Sequence, residues 1–137
     1  MSRTVTISIL TYKRHQHLRR ALASVLPYAD QVAEIIVVDN AAEAELKSLL
    51  AAEYPMARYI AAPSNRGCEG RNIGLGAAGT RIVVTLDDDI EFSSSNCVTE
   101  VEAAFPRDPQ LACLNFTVTG VTGKVLERER CLRGRIL

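Results

Sequence analysis

No stretch of the 137-residue sequence approaches the roughly 20 apolar residues that a bilayer-spanning helix needs. A signal peptide is not expected either, because strand-like alternation begins within a few residues of Met1. There is no C-x-x-C pair. Cys68, Cys97, Cys113 and Cys131 stand far apart, which argues against a zinc site or disulfide framework and for reduced thiols in a cytoplasmic protein. Net charge is absent as well: 16 Lys and Arg balance 16 Asp and Glu, so no overall field directs the chain to nucleic acid or an anionic membrane. No internal repeat, low-complexity segment or linker interrupts it, and 1–137 reads as one domain large enough to bury a core.

What is present is organised around Arg81–Ile90. An apolar run, Ile82 to Leu86, breaks into Asp87, Asp88 and Asp89. Such a run bounded by turn signals reads as a strand buried on both faces. Open α/β sheets place their ligands at the carboxyl ends of parallel strands. Alternation along an extended backbone would send Asp87 and Asp89 to one side and Asp88 to the other. Two carboxylates on one side suit a hard divalent cation that also takes phosphate oxygens. The competing reading is a solvated turn capping the next helix.

Upstream, strands are expected at Val5 to Leu10, Glu34 to Val38 and Arg58 to Ala62. Between them, Leu18, Leu22, Val25 and Leu26 mark one helix closed by Pro27, and Leu46, Leu49 and Leu50 a second ended by Pro55. A small-residue helix from about Glu69 to Ala78 leads into the acidic strand. This alternation predicts βαβ units and a parallel sheet, an α/β fold of the Rossmann-like, nucleotide-binding type. Right-handed crossovers would bring Thr11 to Arg14, Asp39 and Asp87 to Asp89 to one crevice. Downstream, Ser93 to Ser95 would cap a helix carrying Val98, Val101 and Phe105 and ended by Pro106. Strands are expected at Leu111 to Val118 and about Val121 to Leu126, around Gly120 and Gly123. From Lys124 to Leu137 five basic residues face two acidic ones without a clear period. That tail is read as a solvated face, a contact to a lipid acceptor at the inner membrane face, or a join to further sequence.

Gly74–Gly79 fits G-x-G-x-x-G, but a helix leads in and a strand follows, the reverse of the dinucleotide context. Close helix–sheet packing and a helix stop account for it better. His15 and His17 lack an i, i+4 partner and are not read as metal ligands.

Four blocks in order resemble the amino-terminal part of family-2 glycosyltransferases, which have the GT-A fold. They are Ser8 to Arg14; Glu34 to Asn40, with the family's base-binding Asp at Asp39; Asn65-Arg66-Gly67 through Gly70-Arg71-Asn72-Ile73-Gly74; and Asp87-Asp88-Asp89, similar to the family's D-x-D. They cover about residues 5 to 90, whereas 91 to 137 match only in general layout. The resemblance implies a nucleotide-diphosphate sugar donor, commonly a UDP-sugar, bound with Mn²⁺ or Mg²⁺. It implies nucleotide-sugar contacts from Thr11, Tyr12, Arg14, Asp39, Arg71, Asp87 and Asp88, and metal ligation by Asp87 and Asp89. A carboxylate at Asp39 can accept from a base N–H, and Arg71 can set a fixed positive charge beside the leaving diphosphate.

Plainer readings stand beside these: an Asx turn at Asp39 with Asn40, a surface ion pair between Arg71 and Glu69, and capping or packing by Thr11 and Tyr12. The family's Asp-Gly-Ser after the second strand is replaced by Asn40-Ala41-Ala42. No general base can be assigned among Glu91, Glu100, Glu102, Asp108, Glu127 and Glu129. The chain therefore resembles a donor-binding half whose acceptor-binding half is missing. The acceptor, a saccharide, lipid or protein, is not named by the sequence. The alternatives are a non-catalytic nucleotide-sugar-binding module, a subunit completed by another chain, and a nucleotidyltransferase, which lacks the expected Gly-rich loop near the first strand. An open sheet edge would favour a homo-oligomer.

Overall fold

The computed structural model describes residues 3–93, 96–120, 122–127 and 130–133. They fall into two compact units, 1–98 and 99–137.

The first unit is built on β1 (Val5–Thr11), β2 (Glu34–Asp39), β3 (Ala57–Ala61) and β4 (Ile82–Asp87). All pair in parallel, in the order β3-β2-β1-β4. Parallel sheets are covered on both faces, so their central strands carry no polar–apolar alternation of exposure. In β2, Ile35, Ile36, Val37 and Val38 are all buried; in β1, Thr6 and Ser8 are as buried as Val5, Ile7 and Ile9. The Thr6 hydroxyl is partnered by that of Thr80 at 2.8 Å, which makes its burial tolerable.

The connecting helices are α1 (His15–Val25), α2 (Ala44–Glu53) and α3 (Arg71–Ala77). Leu18, Ala21, Leu22 and Val25 form the buried stripe of α1, and Leu46 and Leu50 that of α2. Pro27 does close α1, within a 3₁₀ turn over Leu26–Tyr28. The small-residue helix divides: Gly67–Gly70 is a 3₁₀ turn and α3 starts only at Arg71. This is the expected mostly parallel α/β sheet flanked by helices.

Register fixes what meets at the carboxyl edge. Thr11 lies opposite Asp39, and Leu10 opposite Asp87. The β1–α1, β2–α2 and β4 turns therefore emerge side by side. At the end of this unit Tyr28 and Phe92 meet edge to face, centroids 5.6 Å apart.

The fourth helix, α4 (Cys97–Arg107), holds Pro106 in its last turn and stops one residue beyond it. Of the expected cap, Ser94 and Ser95 lie outside the described residues. The second unit departs from the sequence reading. The long strand from Leu111 is two, β5 (Leu111–Asn115) and β6 (Val118–Thr119); the next begins at Val125 as β7 (Val125–Glu127), and Val121 lies outside the described residues. The basic tail contains a further strand, β8 (Arg130–Arg133), antiparallel to β5. Its pairing rests on backbone bonds, which a search for apolar period does not detect. Arg128, Glu129 and Arg135 of the tail lie outside the described residues. Between β6 and β7, Gly123 takes φ +77, the left-handed conformation that glycine adopts without a Cβ penalty.

Candidate functional site

The turn after β1 delivers Thr11, Tyr12 and Arg14. Lys13 within it has φ +55, an uncommon value for a residue with a side chain. Arg14 sits at the start of α1, where its carbonyl accepts from the Leu18 N–H at 3.0 Å. Tyr12 is exposed at the rim, and the Lys13 ammonium stands 5.5 Å from its ring centre.

The acidic stretch does not continue as a strand. β4 ends at Asp87, and the Ile90 N–H bonds back to the Asp87 carbonyl at 3.1 Å, closing a turn through Asp88 and Asp89. Strand alternation therefore does not set the directions of Asp88 and Asp89; the turn does, and it still leaves Asp87 and Asp89 exposed and Asp88 buried. Each carboxylate is partnered, and Arg14 is shared by two of them. Arg71, the first residue of α3, grips Asp87 through both oxygens, Nη2 lying 2.6 Å from Oδ1 and 2.8 Å from Oδ2. The Thr11 hydroxyl donates to Asp88 Oδ2 at 2.8 Å. Arg14 Nη2 reaches Asp89 Oδ2 at 2.8 Å and Asp88 Oδ1 at 3.3 Å. The Asp88 side chain keeps 5% of its accessible surface, whereas Asp87 and Asp89 keep 45% and 48%. Asp88 is thus anchored inward while its neighbours face solvent. The hydrogen bond from Arg14 holds the Asp89 carboxyl below the usual carboxylate range, and the same bond raises the Arg14 guanidinium.

Asp39 takes a different place. It is fully buried, and its carboxylate accepts the N–H of Ala41 and of Glu43, both at 2.8 Å, and the Tyr59 hydroxyl at 3.0 Å. Ala42, inside that turn, is held at φ +53. Burial first, then the bond to Asp39, pushes the Tyr59 hydroxyl up to about 12. The next residue, Asn40, bridges outward: its Nδ2 donates to the Gly67 carbonyl at 2.8 Å, and the Gly67 N–H bonds the Asn65 side chain at 2.9 Å.

These turns enclose an open cleft of about 340 Å³. Among the residues singled out from sequence, Thr11, Tyr12, Arg14, Asp87, Asp88 and Asp89 line it. Arg71 reaches it through Asp87, and Asp39 underlies it through the turn that carries Asn40. Asn40, Asn65 and Gly67 also line it and were not among the candidate site residues. Their signal was the Asn65-Arg66-Gly67 turn and the departure at Asn40. Arg71 pairs with Asp87 rather than Glu69, which is taken by Arg66 at 2.8 Å.

Among the described residues no three His, Cys, Asp or Glu side chains converge as a ready cage for a metal ion. The donor set nonetheless fits a hard cation: two half-exposed carboxylates on one turn, all oxygen, with open space beside them. Mg²⁺-type sites take one or two carboxylates and complete their shell with water and substrate phosphate. No helix among the described residues is long and apolar enough to cross a membrane.

Solved structures share this architecture. The mannosyltransferase PcManGT of Pyrobaculum calidifontis, in complex with GDP-Man and Mn²⁺, superposes with a TM-score of 0.63 at 24% identity, over 81% of this chain and 34% of that one. S. aureus TarS 1–349 gives 0.63 at 14% identity, over 85% and 42%. The fold is the GT-A type. The chain belongs to glycosyl transferase family 2, whose model matches residues 6–134. Among curated proteins, the succinoglycan biosynthesis protein ExoO of Rhizobium meliloti (strain 1021) is 32% identical over 124 residues, which are 89% of this chain. The chain spans about a third of that relative, 36% of its length.

Proposed function

We propose that the cleft binds the nucleotide-diphosphate part of a sugar donor together with Mn²⁺ or Mg²⁺, for transfer of the sugar to a saccharide, lipid or protein acceptor. The observation that carries this reading is the acidic turn Asp87–Asp89, set in the cleft beside Arg14 in a family-2 chain. The ligands of PcManGT, GDP-Man and Mn²⁺, support a nucleotide sugar and a divalent metal in general. A UDP-sugar is the donor proposed here.

In this reading Asp89 and Asp87 offer carboxylate oxygens to the metal. Bound there, the ion would neutralise charge growing on the departing nucleoside diphosphate. Arg14 supplies a positive charge to the phosphates, and Arg71 holds Asp87 in place from α3. Asp88, pinned by Thr11, keeps the acidic turn against β1. Tyr12 presents an exposed ring at the rim on which a base can lie. The proposal for Asp39 is indirect contact: its carboxylate is filled by three internal donors and shapes the turn presenting Asn40.

Thermal unfolding with a panel of nucleoside diphosphates tests this. A ligand at about 100 times its Kd stabilises the native state by about 2.7 kcal/mol. UDP with Mn²⁺ should raise the midpoint by several degrees and UDP with EDTA should not. Equal response to UDP, inorganic phosphate and no ligand would reject it. Release of UDP from a UDP-sugar would then separate an enzyme from a non-catalytic binding module.

A further inference from the structure

The chain's own two arginines already offset part of the charge of the three carboxylates in the acidic turn, and the two contacts are unlike. Arg71 holds Asp87 with a two-oxygen fork from the start of α3. Such a planar bidentate pair is geometrically fixed. Arg14 instead touches one oxygen of each of two carboxylates, Asp89 Oδ2 at 2.8 Å and Asp88 Oδ1 at 3.3 Å. Its side chain is 44% exposed on the cleft rim. Asp88 keeps the Thr11 hydroxyl on its other oxygen, Oδ2, if Arg14 moves away. Asp89 would then face the cleft with a free carboxylate.

We propose that Arg14 is a resident counter-ion which the divalent metal displaces from Asp89, freeing the guanidinium for the donor's phosphates. The inference rests on the reading of the cleft as a donor site and adds an exchange to it. A cation on Asp89 would stand close to Arg14 Nη2, which lies 2.8 Å from Oδ2, and the two positive groups repel at that range, so they compete for the carboxylate. Metal alone therefore competes with Arg14, and diphosphate alone finds Arg14 engaged. Together they exchange partners, so each tightens the other by the same factor. Arg14 thus positions the donor through a contact it makes only after giving up another.

Binding of Mn²⁺ alone, read from the free-ion paramagnetic resonance signal, tests the exchange in wild type, Arg14→Gln, Arg14→Lys and Asp89→Asn. Removing an exposed competitor should tighten Mn²⁺ in Arg14→Gln by about three- to fivefold. Arg14→Lys, which keeps the charge, should stay near wild type. With Mn²⁺ saturating, Arg14→Gln should bind UDP more weakly than wild type, an opposite sign that a purely structural residue does not produce. Unchanged or weaker Mn²⁺ affinity in Arg14→Gln, with binding still abolished in Asp89→Asn, would overturn the exchange and leave the donor site standing. Mn²⁺ binding to Asp89→Asn as to wild type would remove both.

Discussion

Gly74 of α3 lies so close to Ser8 of β1 that a methyl group added to it would stand 1.9 Å from the Ser8 hydroxyl oxygen and 3.0 Å from its Cβ. Val38 of β2 bounds the other side at 3.3 Å. The helix that carries Arg71 therefore rests on the sheet at backbone distance. Gly76, two residues on, meets nothing within 4 Å, so close packing accounts for Gly74 and not for the whole glycine pattern. Ala at position 74 would gain helix propensity of about 1 kcal/mol. Overpacking costs typically 1–3 kcal/mol, and with contacts this short the balance is expected to be a loss of about 1–2 kcal/mol. Urea unfolding of Gly74→Ala and of Gly74→Ala with Ser8→Ala measures it. The second change should recover part of the loss and Gly76→Ala should cost nothing.

The buried Asp39 carboxylate gives a second expectation. Tyr59→Phe removes one of its three donors, and a hydrogen bond to a charged group contributes about 1.5–3 kcal/mol. A loss of about 2 kcal/mol is expected on that scale. Asp39→Asn should cost at least as much, because the amide nitrogen replaces one acceptor oxygen, losing either the Ala41 bond on Oδ1 or the Glu43 and Tyr59 bonds on Oδ2, and the charge is lost from those that remain. Chemical denaturation supplies both numbers.

Tyr59 should also be visible by pH. Its hydroxyl is raised to about 12, so the folded state holds that proton more tightly than the unfolded chain does. The associated stability is complete below the ordinary tyrosine value of about 10 and is lost as pH rises towards 12. Ultraviolet titration should show a tyrosine ionising near 12, absent in Tyr59→Phe.

Asp89 carries the opposite sign. Its folded value is lowered by the Arg14 bond, so its contribution is present above the ordinary carboxylate value of 3.8 and disappears as pH falls through the lowered one. Carbon-detected NMR of the side-chain carboxyl should find it titrating below 3.8 in wild type and moving upward in Arg14→Gln. No movement would mean that the pair does not form in solution.

The parallel sheet was legible because strands covered on both faces leave apolar runs, as Ile35 to Val38 does. Ile82 to Leu86 also makes a strand, but at the sheet edge, where Val84 and Leu86 are buried and Thr85 is exposed, a correction to its reading as buried on both faces. The carboxyl-edge crevice followed from that topology, and most of its lining with it. Three features were not legible. The Asx turn at Asp39 was among the readings and its Ala41 bond is present, but the burial of the carboxylate depends on Tyr59, on a different strand, and on Ala42 accepting a positive φ. The end of β4 at Asp87 depends on a turn bond that a run of identical residues does not announce. β8 holds its place by pairing with β5 and has no apolar period to reveal it. In each case the deciding partner is distant in sequence or belongs to the backbone.

The central claim is that the turn Asp87–Asp89 serves a metal-assisted nucleotide-diphosphate site. Calorimetric titration of UDP into the chain, with Mn²⁺ and with EDTA, beside Asp89→Asn, tests it most directly. Binding that requires Mn²⁺ and falls at least tenfold in Asp89→Asn, a change of about 1.4 kcal/mol, is the expected result. UDP binding of equal strength with EDTA and in Asp89→Asn would contradict it, and would assign the cleft to a ligand that makes no use of the acidic turn.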